Sequence, residues 1–331
     1  MYFPPRVLII SPALAAANNG NWQTARRWSD ALASSYRVEV RTGWGEADAA
    51  AEAAEPPALM IALHARRSAE AIAGFARTGR PVILVLTGTD LYRDLQTDPQ
   101  AQRSLALATH RVVLNDCGLE RMPPAFRETT SVIVQSAPAM APIAPRRGCF
   151  DLALVGHLRV EKDPLTAVRA LASLEAASLR LIHVGAASDP TLAAAMQAAA
   201  QADSRIELRG PLSHARTRRE IARSRVLLLP SLMEGGANVL IEAIASGVPV
   251  LASRIEGNLG LLGPDWPAYF EVGDPSGLAM LIRRCLESPD FLGALQERCV
   301  QLAPRFAPAR EAGAVRALVH NALAAHPRSH A

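Results

Sequence analysis

The sequence predicts an α/β protein made of two successive doubly wound units, each a parallel sheet with helices on both faces. Three observations predict it. Short, near-continuous Val/Ile/Leu runs alternate with helical patterns along the 331 residues, as strands covered on both faces do. The alternation breaks once, at APAMAPIAPRRG (137–148), which has three prolines and no periodicity and reads as a linker. Half of the residues are hydrophobic (50%), enough to fill two cores of roughly 150 residues each.

In the first half the strand runs are RVLIISP (6–12), YRVEVRT (36–42), ALMIALH (58–64), PVILVLTG (81–88), RVVLND (111–116) and SVIVQS (131–136). Between the first two lies NWQTARRWSDALASS, with Trp22, Ala25, Trp28 and Leu32 at helical spacing. After the linker the pattern resumes with FDLALVG (150–156), LRLIHVG (179–185), RIELRG (205–210), RVLLLPS (225–231), PVLAS (249–253) and AYFEVGD (268–274). The expected domains are 1–140 and 141–308, both Rossmann-like and facing one cleft, with ligands at the carboxyl ends of the strands. The last helix, 309–326, is expected to pack back on the first domain.

Composition removes several classes of function. The 35 basic and 31 acidic residues leave a net charge of +4, and the arginines are scattered rather than gathered in one stripe. No nucleic-acid partner is expected. The densest basic run, RTRRE (216–220), reads as a solvated helix face. Cys117, Cys149, Cys285 and Cys299 show neither CxxC spacing nor a partner histidine at metal-ligand spacing, so they read as inert thiols of a reducing compartment. No stretch of 18 or more apolar residues occurs, and VLIISPALAAA carries Pro12 within its apolar run. That segment reads as a strand rather than a leader, and the expectation is a cytoplasmic protein without stable membrane association.

The chemistry-bearing stretches lie mainly in the second half. VGHLRVEKDP (155–164) holds Lys162, the single lysine of the chain. A strand ending at Gly156 leads through a loop to a helix with Asp163 as N-cap and Pro164 at its first position. Lys162 is thus placed beside a helix start, where backbone donors and the positive end of the helix favour phosphate; a plain surface lysine is the alternative. EGGANVLIEA (234–243) follows another strand. Gly235 and Gly236 permit close backbone approach before a helix starting near Ala237 or Asn238, a second phosphate cradle. Glu242 then lies about 6–8 Å past the helix start, so Glu234 and Glu242 bracket a diphosphate, each able to accept from vicinal hydroxyls. Two competing readings are an acid/base pair of the glycoside-hydrolase kind and a pair of surface acids.

The set VGHLRVEK … RGPLS … PSLMEGGANVLIEAIASGVPVLAS, over residues 150–275, resembles the donor domain of the retaining family 4 glycosyltransferases, which have the GT-B fold. The resemblance implies a nucleotide-diphosphate sugar as substrate, no cofactor and no required metal; no Asp-x-Asp motif is present. It puts Lys162 on the diphosphate, Glu234 on the donor sugar and Glu242 on the ribose. Gly235, Gly236, Ala237, Asn238 and Val239 would line the donor, with Arg209 to Leu212 near the base. Where that family commonly has Gly-Arg-Leu, this chain has Gly156-His157-Leu158 followed by Arg159. Either His157, as a neutral donor, or Arg159, as the displaced charge, would touch the diphosphate.

NNGNWQTARRW (18–28), LHARRSAEA (63–71) and LTGTDLYRD (86–94) each follow a strand. Together with VGHLRVEKDP they resemble the selenosugar synthases of selenoneine biosynthesis, a subgroup of the same superfamily. That resemblance implies transfer of the sugar of UDP-N-acetylglucosamine or UDP-glucose to selenophosphate, with enzymes of the same pathway as partners. Gly20, Asn21, Thr24, Arg66, Thr87, Gly88, Thr89 and Arg93 are the expected acceptor contacts, suited to a small anion. His64 and Asp90 are the candidates for proton handling. Each has a structural alternative: His64 as a hydrogen-bonder at a strand end, Asp90 as N-cap of a helix from Leu91. An ordinary glycosyltransferase acting on a glycan, lipid or metabolite hydroxyl and a non-catalytic nucleotide-sugar binder remain the other functions.

Overall fold

The computed structural model describes residues 4–14, 20–141 and 143–326. They form two compact units: residues 1–135 with 308–331, and residues 136–307. Asn18 and Asn19 of the NNGN stretch lie outside the described residues.

Unit 1 has six strands: β1 (Arg6–Ile10), β2 (Arg37–Arg41), β3 (Leu59–Leu63), β4 (Val82–Leu86), β5 (His110–Val113) and β6 (Thr130–Val132). They are parallel in the order β2-β1-β3-β4-β5-β6. Side chains alternate along each strand, and the sheet is apolar on both faces. Leu8, Ile10, Met60 and Leu84 enter one core with Ile72 and Phe75. Val7, Ile9, Ile61 and Val85 enter the other with Trp28 and Leu32. The helix Gly20–Leu32 buries Ala25, Trp28 and Leu32 as its spacing predicts, but Trp22 is only half-buried, and Gln23 and Thr24 take inner positions.

The last helix, Pro308–Ala324, belongs to unit 1 and covers the second face with Val315, Leu318 and Val319. A polar tie fixes it: buried Glu311 accepts from the Trp28 indole Nε1 at 2.9 Å and from Arg27 Nε at 2.9 Å.

Unit 2 has β7 (Phe150–Val155), β8 (Leu179–Val184), β9 (Ile206–Leu208), β10 (Val226–Leu229), β11 (Val250–Ser253) and β12 (Tyr269–Phe270). These are also parallel, in the order β12-β11-β10-β7-β8-β9. All twelve expected strands form. The last is shorter than its apolar run, because Gly273 turns the chain at φ 70° and Asp274 caps the helix Pro275–Glu287.

The boundary falls at 135/136, ahead of the expected 140/141. Gln135 bonds Thr24 of unit 1, whereas Ala137 N–H donates to Phe306 O at 3.1 Å within unit 2. The proline-rich segment ends on a bidentate pair from Arg146 to buried Asp151, at 2.8 and 3.1 Å. Among the described residues the cysteines form no disulfide, and burial pushes the Cys285 and Cys299 thiols up to about 12. No described helix is long and apolar enough to cross a membrane.

Candidate functional site

In unit 2 the strand order reverses between β7 and β10. Loops leaving the carboxyl ends of such a strand pair diverge and leave a crevice between them. Lys162 stands on the loop after β7 and Glu234 on the loop after β10, so the topology itself brings these two distant stretches together.

The first loop is shaped by small residues and by two histidines, of which His183 is buried. Gly185, just after β8, is pressed against Gly156: a Cβ there would lie 1.9 Å from the Gly156 oxygen. The same carbonyl accepts from His183 Nε2 at 3.0 Å, and burial holds the His183 imidazole below its ordinary pKa. His157 Nδ1 accepts from the Ala186 N–H at 3.0 Å, so the proton resides on Nε2 and His157 is a donor there. Arg159 lies 4.0 Å from Glu161 and is half exposed. The chain then makes a 3₁₀ turn, Val160–Lys162, and Asp163 adopts a left-handed conformation at φ 40° before the helix Pro164–Ala172. Asp163 holds the N-cap position, but its carboxylate accepts from Thr166 Oγ1 at 2.6 Å rather than from the backbone.

Lys162 Nζ donates to Glu234 Oε1 at 2.6 Å, and Ser231 Oγ donates to the same oxygen at 2.7 Å. Ser231 and Glu234 are buried. The two loops are also joined along the backbone, Leu232 N–H to Glu161 O at 2.9 Å. From the far side Gly257 abuts the loop; a Cβ on it would meet the Glu234 carbonyl oxygen at 1.9 Å. Gly235, Gly236 and Ala237 are buried in the turn, and the helix runs Asn238–Ile244 with Ala237 at its cap and Val239 half-buried. Glu242, buried on that helix, takes a hydrogen bond from His214 Nε2 at 2.6 Å. Arg209 turns to Glu207, at 2.6 Å, and Leu212 is half-buried.

In unit 1 the strand order reverses between β1 and β3. Gly20 and Asn21 open the helix after β1. The buried Thr24 hydroxyl donates to Gly20 O at 2.9 Å and accepts from Gln135. His64 follows β3 in a left-handed conformation, φ 73°, and is buried. Its Nδ1 accepts from the Arg67 N–H at 3.4 Å, which leaves Nε2 to donate to Thr89 Oγ1 at 3.0 Å; burial holds its pKa below the ordinary imidazole range.

Asp90 is fully buried and accepts from three backbone N–H groups: Ala65 at 2.9 Å, Thr87 at 2.9 Å and Gly88 at 2.8 Å. It is therefore not the N-cap of a helix from Leu91. The helical turn already includes Asp90, with Thr89 before it, and the carboxylate ties the loops after β3 and β4 together instead. Arg66 and Arg93, expected on an anion, each direct Nε to buried Asp94, at 2.9 and 3.0 Å.

His214, Ser231, Gly257 and Asp94 were not legible as site residues. Ser231 closes the run RVLLLPS and carried the one available signal, a hydroxyl at a strand end beside an expected loop. The His214–Glu242 pair spans 28 residues, with no spacing rule to disclose it.

Residues 149–288 match the family model described as glycosyl transferases group 1, and no curated protein sequence matches the chain. Among solved structures it is similar to HepE of Anabaena in complex with UDP and glucose, at 15% identity and TM-score 0.77 over 96% of this chain and 100% of that one. It is also similar to sucrose-phosphate synthase of Thermosynechococcus elongatus, at 19% identity and TM-score 0.78 over 97% and 100%. A glycosyltransferase of Rickettsia africae aligns at 13% identity and TM-score 0.70 over 97% and 99%. The chain therefore has the α/β GT-B fold, and its second unit carries the match to the group 1 glycosyl transferases.

Proposed function

We propose that the chain is a metal-independent glycosyltransferase that moves a sugar from UDP-N-acetylglucosamine or UDP-glucose to selenophosphate, the C–Se bond-forming step of selenoneine biosynthesis. The carrying observation is the Lys162–Glu234 pair, 2.6 Å apart, at the point where the strand order of unit 2 reverses. A compact ammonium beside a carboxylate suits the junction of a diphosphate and a sugar: Lys162 faces the phosphate oxygens and Glu234 the sugar hydroxyls. Glu242 stands farther along the adjoining helix for the ribose. In the reaction the bond from the anomeric carbon to the UDP oxygen breaks, and the electron pair leaves with UDP. Lys162 stabilises the charge that develops there. Selenium supplies the pair for the new bond.

The loops of unit 1 favour an acceptor that arrives already ionised. His64 has both ring nitrogens engaged, and Asp90 is saturated by backbone donors. Neither is poised to take a proton from a hydroxyl, and selenophosphate asks for none. The test is to incubate the protein with each UDP-sugar plus selenophosphate, phosphate, sulfate or sugar acceptors, with and without EDTA. UDP release with a selenium-containing sugar by mass spectrometry, insensitive to EDTA, is expected. Release with a hydroxyl acceptor and none with selenophosphate would mean an ordinary glycosyltransferase, and UDP binding without turnover a nucleotide-sugar binder.

A further inference from the structure

The geometry points to His214 as a positioning residue that sets the Glu242 carboxylate for a ribose diol and so decides the preference for ribonucleotides; this rests on the proposed donor site. Glu242 is buried, and a buried carboxylate needs a partner to stay ionised without large cost. Among the described residues His214 is the sole side chain bonded to its carboxylate, through Nε2 to Oε1 at 2.6 Å. An ionised carboxylate only accepts, so Nε2 carries the proton.

The backbone that carries the imidazole is held from its own side. Ser213 caps the helix His214–Arg223 by accepting from Arg216 N–H, which fixes the first residue of that helix against the helix Asn238–Ile244. His214 thus occupies Oε1 from one direction and orients the carboxylate. Oε2 and the second lone pair of Oε1 are left for two vicinal hydroxyls. The His214 side chain is still 35% exposed, so it can be replaced without opening a core. Without it, Glu242 loses both its neighbour and its orientation, and the loss should fall on ligands that carry the diol.

Isothermal titration of the full chain with UDP and with 2′,3′-dideoxy-UDP tests this on wild type, His214→Ala, His214→Gln and His214→Asn. Wild type should prefer UDP by roughly 10–100-fold, the range of hydrogen bonds to a charged group. His214→Ala should keep its dideoxy affinity within about twofold while the preference falls below about threefold. His214→Gln, whose amide nitrogen reaches the place of Nε2, should restore most of the preference, and the shorter His214→Asn should not. If the Ala variant fails to fold, the Gln and Asn pair decides alone. Equal weakening of both nucleotides, unchanged binding, or failure of Gln to restore the preference overturns the role of His214 and leaves the donor site standing. A wild type that binds both nucleotides equally removes ribose from Glu242, and one that binds neither overturns the donor site; the proposal falls with either.

Discussion

Lys162 and Glu234, 72 positions apart, meet at 2.6 Å as a donor and a buried acceptor. In a chain whose 35 basic residues include one lysine, the compact, three-donor ammonium stands where a carboxylate and a hydroxyl converge, and a planar guanidinium fork would fit such a corner poorly. Lys162→Ala should lower turnover by about 100-fold or more, as removal of one preorganised donor at a developing charge does. Lys162→Arg should recover less than a tenth of wild-type activity. Steady-state UDP release decides it, and near wild-type rates in the Arg variant would mean that only the charge matters.

Gly257 holds up the Glu234 loop from behind. Gly257→Ala puts a Cβ 1.9 Å from the Glu234 carbonyl oxygen, so the loop must move. The expected result is at least tenfold weaker UDP binding and a Tm lower by about 2–8 °C, the scale of an overpacking of 1–3 kcal/mol. Gly293→Ala is the control. It lies in the helix Pro289–Leu302 with nothing within 4 Å of the added carbon, and it should leave binding unchanged and Tm equal or higher.

The buried histidine beneath the loop after β7 makes stability pH-dependent. Burial holds His183 below its ordinary pKa, so it stays neutral and donates to Gly156 O. The unfolded imidazole takes up its proton near pH 6.5, the native one only at lower pH. In that window the unfolded state binds more protons, so stability falls as pH drops from about 7 towards about 5. Denaturant melts across that range should show a shallower slope for His183→Gln. An identical slope would mean that His183 does not contribute.

The closing helix of unit 1 depends on one buried carboxylate. Glu311→Ala deprives the Trp28 indole of its acceptor at 2.9 Å and should cost about 1–3 kcal/mol. Glu311→Gln keeps the acceptor and should cost less. Thermal melts read the difference, with limited proteolysis reporting whether Pro308–Ala324 is the first segment cut. Equal Tm values for Ala and Gln would shift the weight to the ion pair with Arg27.

The fold was legible because both sheets are covered on both faces. Strands such as β3 and β4 then read as unbroken apolar runs, and one restart of the pattern after a proline-rich break gives two units. For the proposed donor site the linear signals are Lys162 before Pro164 and the Gly-Gly turn before the Asn238 helix. The sequence does not show what a side chain meets across space. Arg66 and Arg93 look like anion ligands in a row of residues, yet both direct Nε to Asp94, and Asp90 looks like a cap while it binds backbone from two loops. His214 acquires meaning only through Glu242 on another helix. Ligand-like residue types at strand ends were found, and their pairings were not.

The most direct measurement of the central claim is a crystal structure of the protein with UDP. The diphosphate should lie on Lys162 and the Gly235–Gly236 turn, with the ribose hydroxyls on Glu242. Nucleotide density elsewhere, or none at saturating UDP, would contradict the donor site on which the proposed reaction stands.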